Sequence, residues 1–374
     1  MSLKLTRRGF FQLPGAGVLL SATRLRGQEQ PSPAVPAPPI VEYQPRSTVS
    51  LVQGENRQAN VYQALMAVDD QVRPKLATAR RVLIKPNNVG VEEQLSATHA
   101  DTLRAILEYL GPRFKGPVAI AEASARDTWT GFRNFKYPEV VRDYKSMNPE
   151  LVDLNQEGRF VLQPILDRDF HLIPARLAAR LVEPGTFVIS SAMLKSHNYV
   201  VATLSIKNMV IGSPLHSMDL TAPGAFNSKR LYHAGFHIMH YNMLRTAQRL
   251  QPNWGVAVID GFEGMEGNGP RLGTPVPHRI AIASTDFLAA DRVGLECMGV
   301  DPQHVGYLQY CAQMGLGNYD LAKIDLHGPA IASVRKKYKL HEWVDEEMHW
   351  MQPVPFDDFA WPEIGDQPTI KKKG

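Results

Sequence analysis

With 374 residues and 44% hydrophobic side chains, the chain is long enough for one large domain or two lobes, and apolar enough to build a sizeable core. The formal net charge of +4 is unevenly spread: Lys4, Arg7, Arg8, Arg24 and Arg26 fall in the first 27 residues, where no acid occurs. The remainder is close to neutral, which excludes a broad nucleic-acid footprint. Two cysteines, Cys297 and Cys311, are too few for an iron–sulfur cluster of the chain's own, which takes about four thiolates. They read as free buried thiols more readily than as one disulfide.

Thr6-Arg7-Arg8-Gly9-Phe10-Phe11, followed by a weakly apolar run to Ala22, resembles a twin-arginine (Tat) export signal. Residues 1–27 are therefore expected to be a signal peptide. That implies the Tat translocase as a partner during export, and a periplasmic location. The apolar run is too short for a membrane span, which needs about 20 apolar residues, and no later stretch reaches that length. Residues 28–47 hold five prolines between 31 and 39 and read as an extended linker.

Residues 48–52 alternate like a first strand, and 59–72 carry the periodicity of one amphipathic helix. The apolar run 81–84 reads as a buried strand that Pro86 stops, presenting Lys85 and Asn87. A helix is expected to open at Thr98 as N-cap and to run to 110. Residues 118–121 form the next strand, ending at Glu122. Residues 129–144 read as a loop and then a helix from Pro138. Short strands are expected at 151–154 and 160–163, and a helix from Pro174. Residues 185–191 form a further buried strand. A helix over 233–250, a strand at 255–260, a glycine-rich loop over 261–273 and a strand at 278–284 follow. Helices at 285–298 and 302–314 and a last strand at 324–326 complete the order. This alternation predicts an α/β fold, with a mostly parallel sheet and helices on both faces, over residues 48–330. Residues 331–374 are expected to be an extended tail packing on the body.

The chemistry gathers around residues 194–212, where Lys195, His197, Lys207 and Asn208 follow the strand at 185–191. Ligands of open α/β sheets sit beyond the carboxyl ends of the strands. Lys85, Asn87, Glu122, Lys195, His197, Lys207 and Asn208 are therefore expected to meet on one rim. Lysines and amides there suit a small anionic ligand. Asp260, Glu263 and Glu266 lie among glycines that permit close backbone approach, and at least one of the three is expected in the same cleft. His233, His237 and His240 fall at i, i+4 and i+7 of the expected helix, and so on one face. With His216 they are candidates for a transition metal, His233, His237 and His216 foremost, and one of these three is expected to face the cleft. Asp286 reads as a helix-capping acid, and Asp291 as a further site candidate.

Several of these motifs together resemble the bacterial DUF362 family, a domain of unknown function. They are Ile84-Lys85-Pro86-Asn87, Thr98-His99, Leu194-Lys195-Ser196-His197, Thr203, Ile206-Lys207-Asn208 with Gly212, Asp260-Gly261, Gly264-Met265-Glu266-Gly267-Asn268-Gly269-Pro270, and Ser284-Thr285-Asp286 with Asp291. The resemblance runs from about 48 to 330. Many relatives carry a ferredoxin-like cysteine-rich module that this chain lacks. A more distant likeness is to the nickel-pincer lactate racemase, which has a histidine ten residues before the lysine that holds its cofactor, the spacing of His197 and Lys207. The racemase's glycine-rich segment is replaced here by Val200-Val201-Ala202-Thr203-Leu204-Ser205. This likeness implies a cofactor anchored on Lys207.

Two functional readings stand. One is a periplasmic enzyme acting on a small anion, with Lys85, Lys195 and Lys207 binding it and His197 as general acid/base. The other is a non-catalytic periplasmic module that binds a ligand or carries a cofactor.

Overall fold

The computed structural model describes residues 46–352; the twin-arginine motif, the linker and the lysine-rich end lie outside them. Twelve strands occur among the described residues: β1 Ser47–Gln53, β2 Arg81–Lys85, β3 Val118–Glu122, β4 Glu150–Asp153, β5 Phe160–Leu166, β6 Leu172–Ala178, β7 Thr186–His197, β8 Val201–Thr203, β9 Trp254–Glu266, β10 Thr274–Val276, β11 Ile280–Ser284 and β12 Ile324–His327. The longer helices are α1 Arg57–Met66, α2 Asp69–Ala77, α3 Ala100–Leu110, α4 Ser205–Gly212, α5 Phe236–Leu250, α6 Phe287–Met298 and α7 Gly306–Gln313.

Ten strands form one sheet in the order β12-β1-β11-β9-β7-β2-β3-β4, with β8 added to β7 and β10 to β9. β9, β7, β2, β3 and β4 run parallel, as βαβ crossovers require. β11 runs against both its neighbours, β1 and β9. The sheet is therefore mixed but mostly parallel. β5 and β6 form a separate antiparallel hairpin.

Strand side chains alternate between two cores. Val82, Ile84, Ile189, Val256 and Val258 pack with α1–α3 on one face, whereas Leu83, Val188, Ala257 and Ile259 pack with α4–α7 on the other. The α/β architecture with both faces covered is as expected from the sequence.

Several boundaries differ. The single helix expected over 59–72 is two helices, broken at Ala67 and Val68. α3 is capped by His99, whose Nδ1 accepts the Asp101 amide, and not by Thr98. The Thr98 hydroxyl instead accepts the Asn87 amide and donates to the Ser191 carbonyl, tying two strand ends together. The helix expected from Pro174 is strand β6, because its Ala175 and Leu177 face the core while Arg176 turns outward. The glycine-rich stretch continues β9 as far as Glu266. Cys297 and Cys311 are free and buried. No helix among the described residues is long and apolar enough to cross a membrane. Residues 331–352 lie on the body: Tyr338 bonds to His278, and the Trp350 indole donates to the His304 carbonyl.

Candidate functional site

Lys85 ends β2 and is fully buried. Its ammonium is surrounded by acceptors, with Glu122 Oε1 at 2.7 Å, Glu122 Oε2 at 2.9 Å, the Pro86 carbonyl at 2.8 Å and Asn208 Oδ1 at 3.3 Å. The Glu122 carboxylate also accepts the amides of Asn88 and Ala123, at 3.0 and 2.8 Å. Burial pushes the Lys85 pKa down, and Glu122 beside it pulls it back up. Asn208 donates to the Lys85 carbonyl and to Ser190 Oγ, so it fastens α4 to β2 and β7.

α4 carries both Lys207 and Asn208, and a carboxylate on another helix holds its N-terminus. Asp291 of α6 accepts the Ser205 amide at 2.7 Å and the Ile206 amide at 2.9 Å, satisfying two of the helix's orphan donors. Burial drives the Asp291 pKa up to about 8 against the pull of those two donors. Asp286 caps α6 itself through the amides of Leu288 and Ala289, as expected for it. At the other end of α4, Gly212 lies so close to Lys85 that a Cβ there would sit 2.4 Å from Nζ.

These elements border a cleft of about 420 Å³. Of the expected residues, Lys85, Asn87, Glu122, His197, Lys207 and His233 line it. Asn87 is buried, and its Oδ1 has no hydrogen-bond partner among the described residues. Four further cations line the cleft that sequence reasoning missed: Arg126, Lys229, Arg230 and Arg271. Lys207 and Lys229 are buried on the floor, whereas Arg126, Arg230 and Arg271 are exposed at the mouth. Among the described residues, six cationic side chains thus face the cleft against one carboxylate, Glu122, which is already paired with Lys85.

Burial first, and then the charge of Lys85, bring the Lys207 pKa down to about 7, with Glu122 opposing. Burial brings Lys229 to about 7 as well, although its ammonium donates to the Ile211 carbonyl at 3.0 Å. His197 Nδ1 accepts the Tyr199 amide at 3.1 Å. An amide can only donate, so the neutral ring carries its hydrogen on Nε2. Burial, and next the charge of Lys207, hold the His197 pKa well below its ordinary value. His197 is paired across β7 and β8 with Val201, whose φ of 67° lies in the left-handed region unusual for a β-branched residue. The Val201 amide donates to the buried Glu347 carboxylate at 2.5 Å.

The other expected residues lie elsewhere. The Lys195 ammonium donates to the Ser96 carbonyl at 2.7 Å and does not line the cleft. Asp260 points to the opposite face of the sheet, accepting the Thr102 hydroxyl at 2.6 Å and lying 3.2 Å from Arg57. Glu263 is exposed on β9, and Glu266 accepts the Lys339 amide. None of these three acids lines the cleft; the glycine-rich stretch contributes Pro270 and Arg271 instead. Gly269 of that stretch approaches protein backbone: a Cβ on it would lie 2.1 Å from the Ser196 carbonyl oxygen.

The three foremost histidine candidates for a metal have different surroundings. Both ring nitrogens of His216 face carbonyl oxygens, of Ser217 and Ser124. His233 precedes α5 rather than belonging to it, and its Nδ1 meets the Lys229 carbonyl. His237 Nε2 meets the Gln352 carbonyl beside a different cavity. His240 is fully buried, with Nδ1 accepting the Tyr307 amide. Among the described residues the carboxylate and imidazole atoms close enough to share a cation are those of Asp167, Asp169 and His171, at the exposed β5–β6 turn. This arrangement does not fit a metal held by His216, His233 and His237.

Residues 82–296 match the family model described as "Domain of unknown function (DUF362)". The chain belongs to the DUF362 family. The matched segment begins one residue into β2 and ends within α6, so it contains Lys85, Glu122, His197, Lys207 and Asp291. Over 131 residues, 34% of the chain, the DUF362 protein is 28% identical to a thylakoid-associated protein of Synechocystis sp. (strain ATCC 27184 / PCC 6803 / Kazusa). That match spans 37% of the relative's own length. A Thermotoga maritima protein of known crystal structure is similar with a TM-score of 0.38 and 10% sequence identity, over 71% of this chain and 60% of that one.

Proposed function

We propose that this DUF362 protein is an enzyme acting on a small anion that carries more than one negative charge. One observation carries the reading: among the described residues, six cationic side chains face the cleft against a single, already paired carboxylate. Such an excess has a cost without a ligand, because the like charges repel in a poorly solvated site. A polyanion relieves that repulsion. The guanidiniums at the mouth suit carboxylate or phosphate groups, which they bind in bidentate fashion. His197, neutral and with its hydrogen on Nε2, serves as a fixed donor to an oxygen of the substrate rather than as a cycling acid/base. Lys207 and Lys229 are the groups that change charge near neutral pH. The twin-arginine leader supports export and a periplasmic place of action.

Calorimetric titration of the full chain with citrate and with inorganic phosphate tests the site. Arg230→Ala and Lys207→Met should each weaken binding by about tenfold or more, ~1.4 kcal/mol. Unchanged affinity in both variants would sink the reading. Incubation with a panel of small carboxylic and phosphorylated acids, followed by NMR, tests turnover. Binding with no acid consumed would favour the non-catalytic module.

A further inference from the structure

Four lysines are buried at this end of the sheet, and their ammonium groups are not equivalent. Lys85 has Glu122, Pro86 and Asn208; Lys195 has the Ser96 carbonyl; Lys229 has the Ile211 carbonyl. Lys207 lines the same cleft but donates to no described residue. A lysine held by an acceptor has its nitrogen engaged by that acceptor. A buried lysine with no acceptor, among other cations, favours the free amine, and a free amine is a nucleophile.

Resting on the polyanion reading of the cleft, we propose that Lys207 forms an imine with the carbonyl group of a small oxo-acid or oxo-phosphate. The nitrogen lone pair attacks the carbonyl carbon, and the C=O pair moves onto oxygen. The amine gives up a proton and the oxygen gains one, so a neutral carbinolamine forms. Its hydroxyl leaves as water with a second proton from nitrogen, and the C=N bond closes. Amine and carbonyl thus give imine and water, with no oxidant or reductant consumed. The His197 Nε2–H is the donor in the cleft for the carbonyl oxygen, and Arg126, Arg230 and Arg271 receive the anionic end. Protonated, the imine withdraws electrons from the neighbouring carbon, which suits deprotonation, decarboxylation or carbon–carbon bond chemistry there.

Two probes combine a carbonyl with an anion: glyoxylate and pyridoxal 5′-phosphate. The full chain is incubated with each, reduced with borohydride, and analysed by intact mass and peptide mapping. Lys207 should carry the adduct on the order of a hundredfold faster than exposed lysines at pH 7, because an exposed lysine is almost wholly protonated there. Labelling should rise through pH 7, and citrate should compete with it. Lys207→Arg should lose the adduct; should that variant fail to fold, peptide mapping of the unaltered protein decides alone. If Lys207 is labelled no faster than exposed lysines while citrate still binds with dependence on Arg230, the imine is overturned and the anion cleft stands. If neither citrate nor phosphate binds, the polyanion reading falls, and the imine with it.

Discussion

The Lys85 ammonium occupies the space that a side chain at Gly212 would fill, 2.4 Å from where its Cβ would be. The glycine at the end of α4 and the lysine at the end of β2 are thus one structural unit. Gly212→Ala should force Lys85 off Glu122 and Asn208, at a cost of about 1–3 kcal/mol. Thermal unfolding measures the loss. A melting temperature equal to that of the unaltered protein would show that the contact is not needed.

Removing only one partner of the Lys85–Glu122 pair leaves a charge buried without compensation. Glu122→Gln should therefore destabilise by roughly 3–5 kcal/mol. The double variant Lys85→Met with Glu122→Leu should cost less than that single change, because no charge remains to be satisfied. Urea unfolding of the variants gives the comparison.

Asp291 caps a helix other than its own. Asp291→Ala leaves the Ser205 and Ile206 amides without an acceptor and should cost about 1–3 kcal/mol. Asp291→Asn keeps one acceptor and should cost less. Both should weaken citrate binding beyond their effect on stability, since α4 carries Lys207. Binding of citrate by the folded alanine variant at unaltered affinity would separate the cap from the site.

The lysines of the cleft floor make stability depend on pH. Unfolded, Lys207 and Lys229 titrate near 10.4; folded, each titrates at about 7. Between these values the unfolded chain binds more protons than the folded one, so their contribution to stability rises with pH from about 7 to about 10. Below 7 the full cost of burying both ammonium groups is felt. Lys207→Met should stabilise the ligand-free protein near pH 7 and flatten the rise, which urea unfolding at stepped pH records. A variant with the same slope would place the titration elsewhere.

Nitrogen-15 NMR reads the His197 ring directly. The Tyr199 amide fixes Nδ1 as the bare nitrogen and Nε2 as the protonated one. With the pKa held well below the ordinary range, the pattern should stay constant between pH 6 and 8. An imidazolium signal appearing in that window would restore a cycling acid/base at this position.

Much of the fold was legible in the sequence, because buried parallel strands announce themselves as short apolar runs. The end of β2 could be placed from Pro86, and so Lys85 and Glu122 could be set on one rim. Asp260 could not. Strand side chains alternate, and one residue of register decides which face receives a carboxylate; Asp260 falls with Val256 and Val258, on the face away from α4. Lys229 and Arg230 follow a loop with no periodicity, and nothing local marks them as returning to the cleft. The segment from Pro174 has the composition of a helix, but pairing with β5 overrides that weak preference. The glycines of residues 261–273 were visible, but not that Gly269 closes on Ser196 of the neighbouring strand β7 rather than on a ligand.

The position of β1 has a consequence for how the chain acquires its structure. The first described strand of the sheet pairs with neither β2 nor any strand near it in sequence; it lies between β11 and β12. Ser47 thus waits for Ile324, and Gln53 for Ile280, before either has a neighbour. Pairing over such separations is slow, because a long loop must close before any contact rewards it. On the ribosome β1 emerges first and is satisfied last. The early strands β2, β3 and β4 lie side by side in sequence order and have their partners nearby, whereas the far side of the sheet can close only after nearly all the described chain has been made.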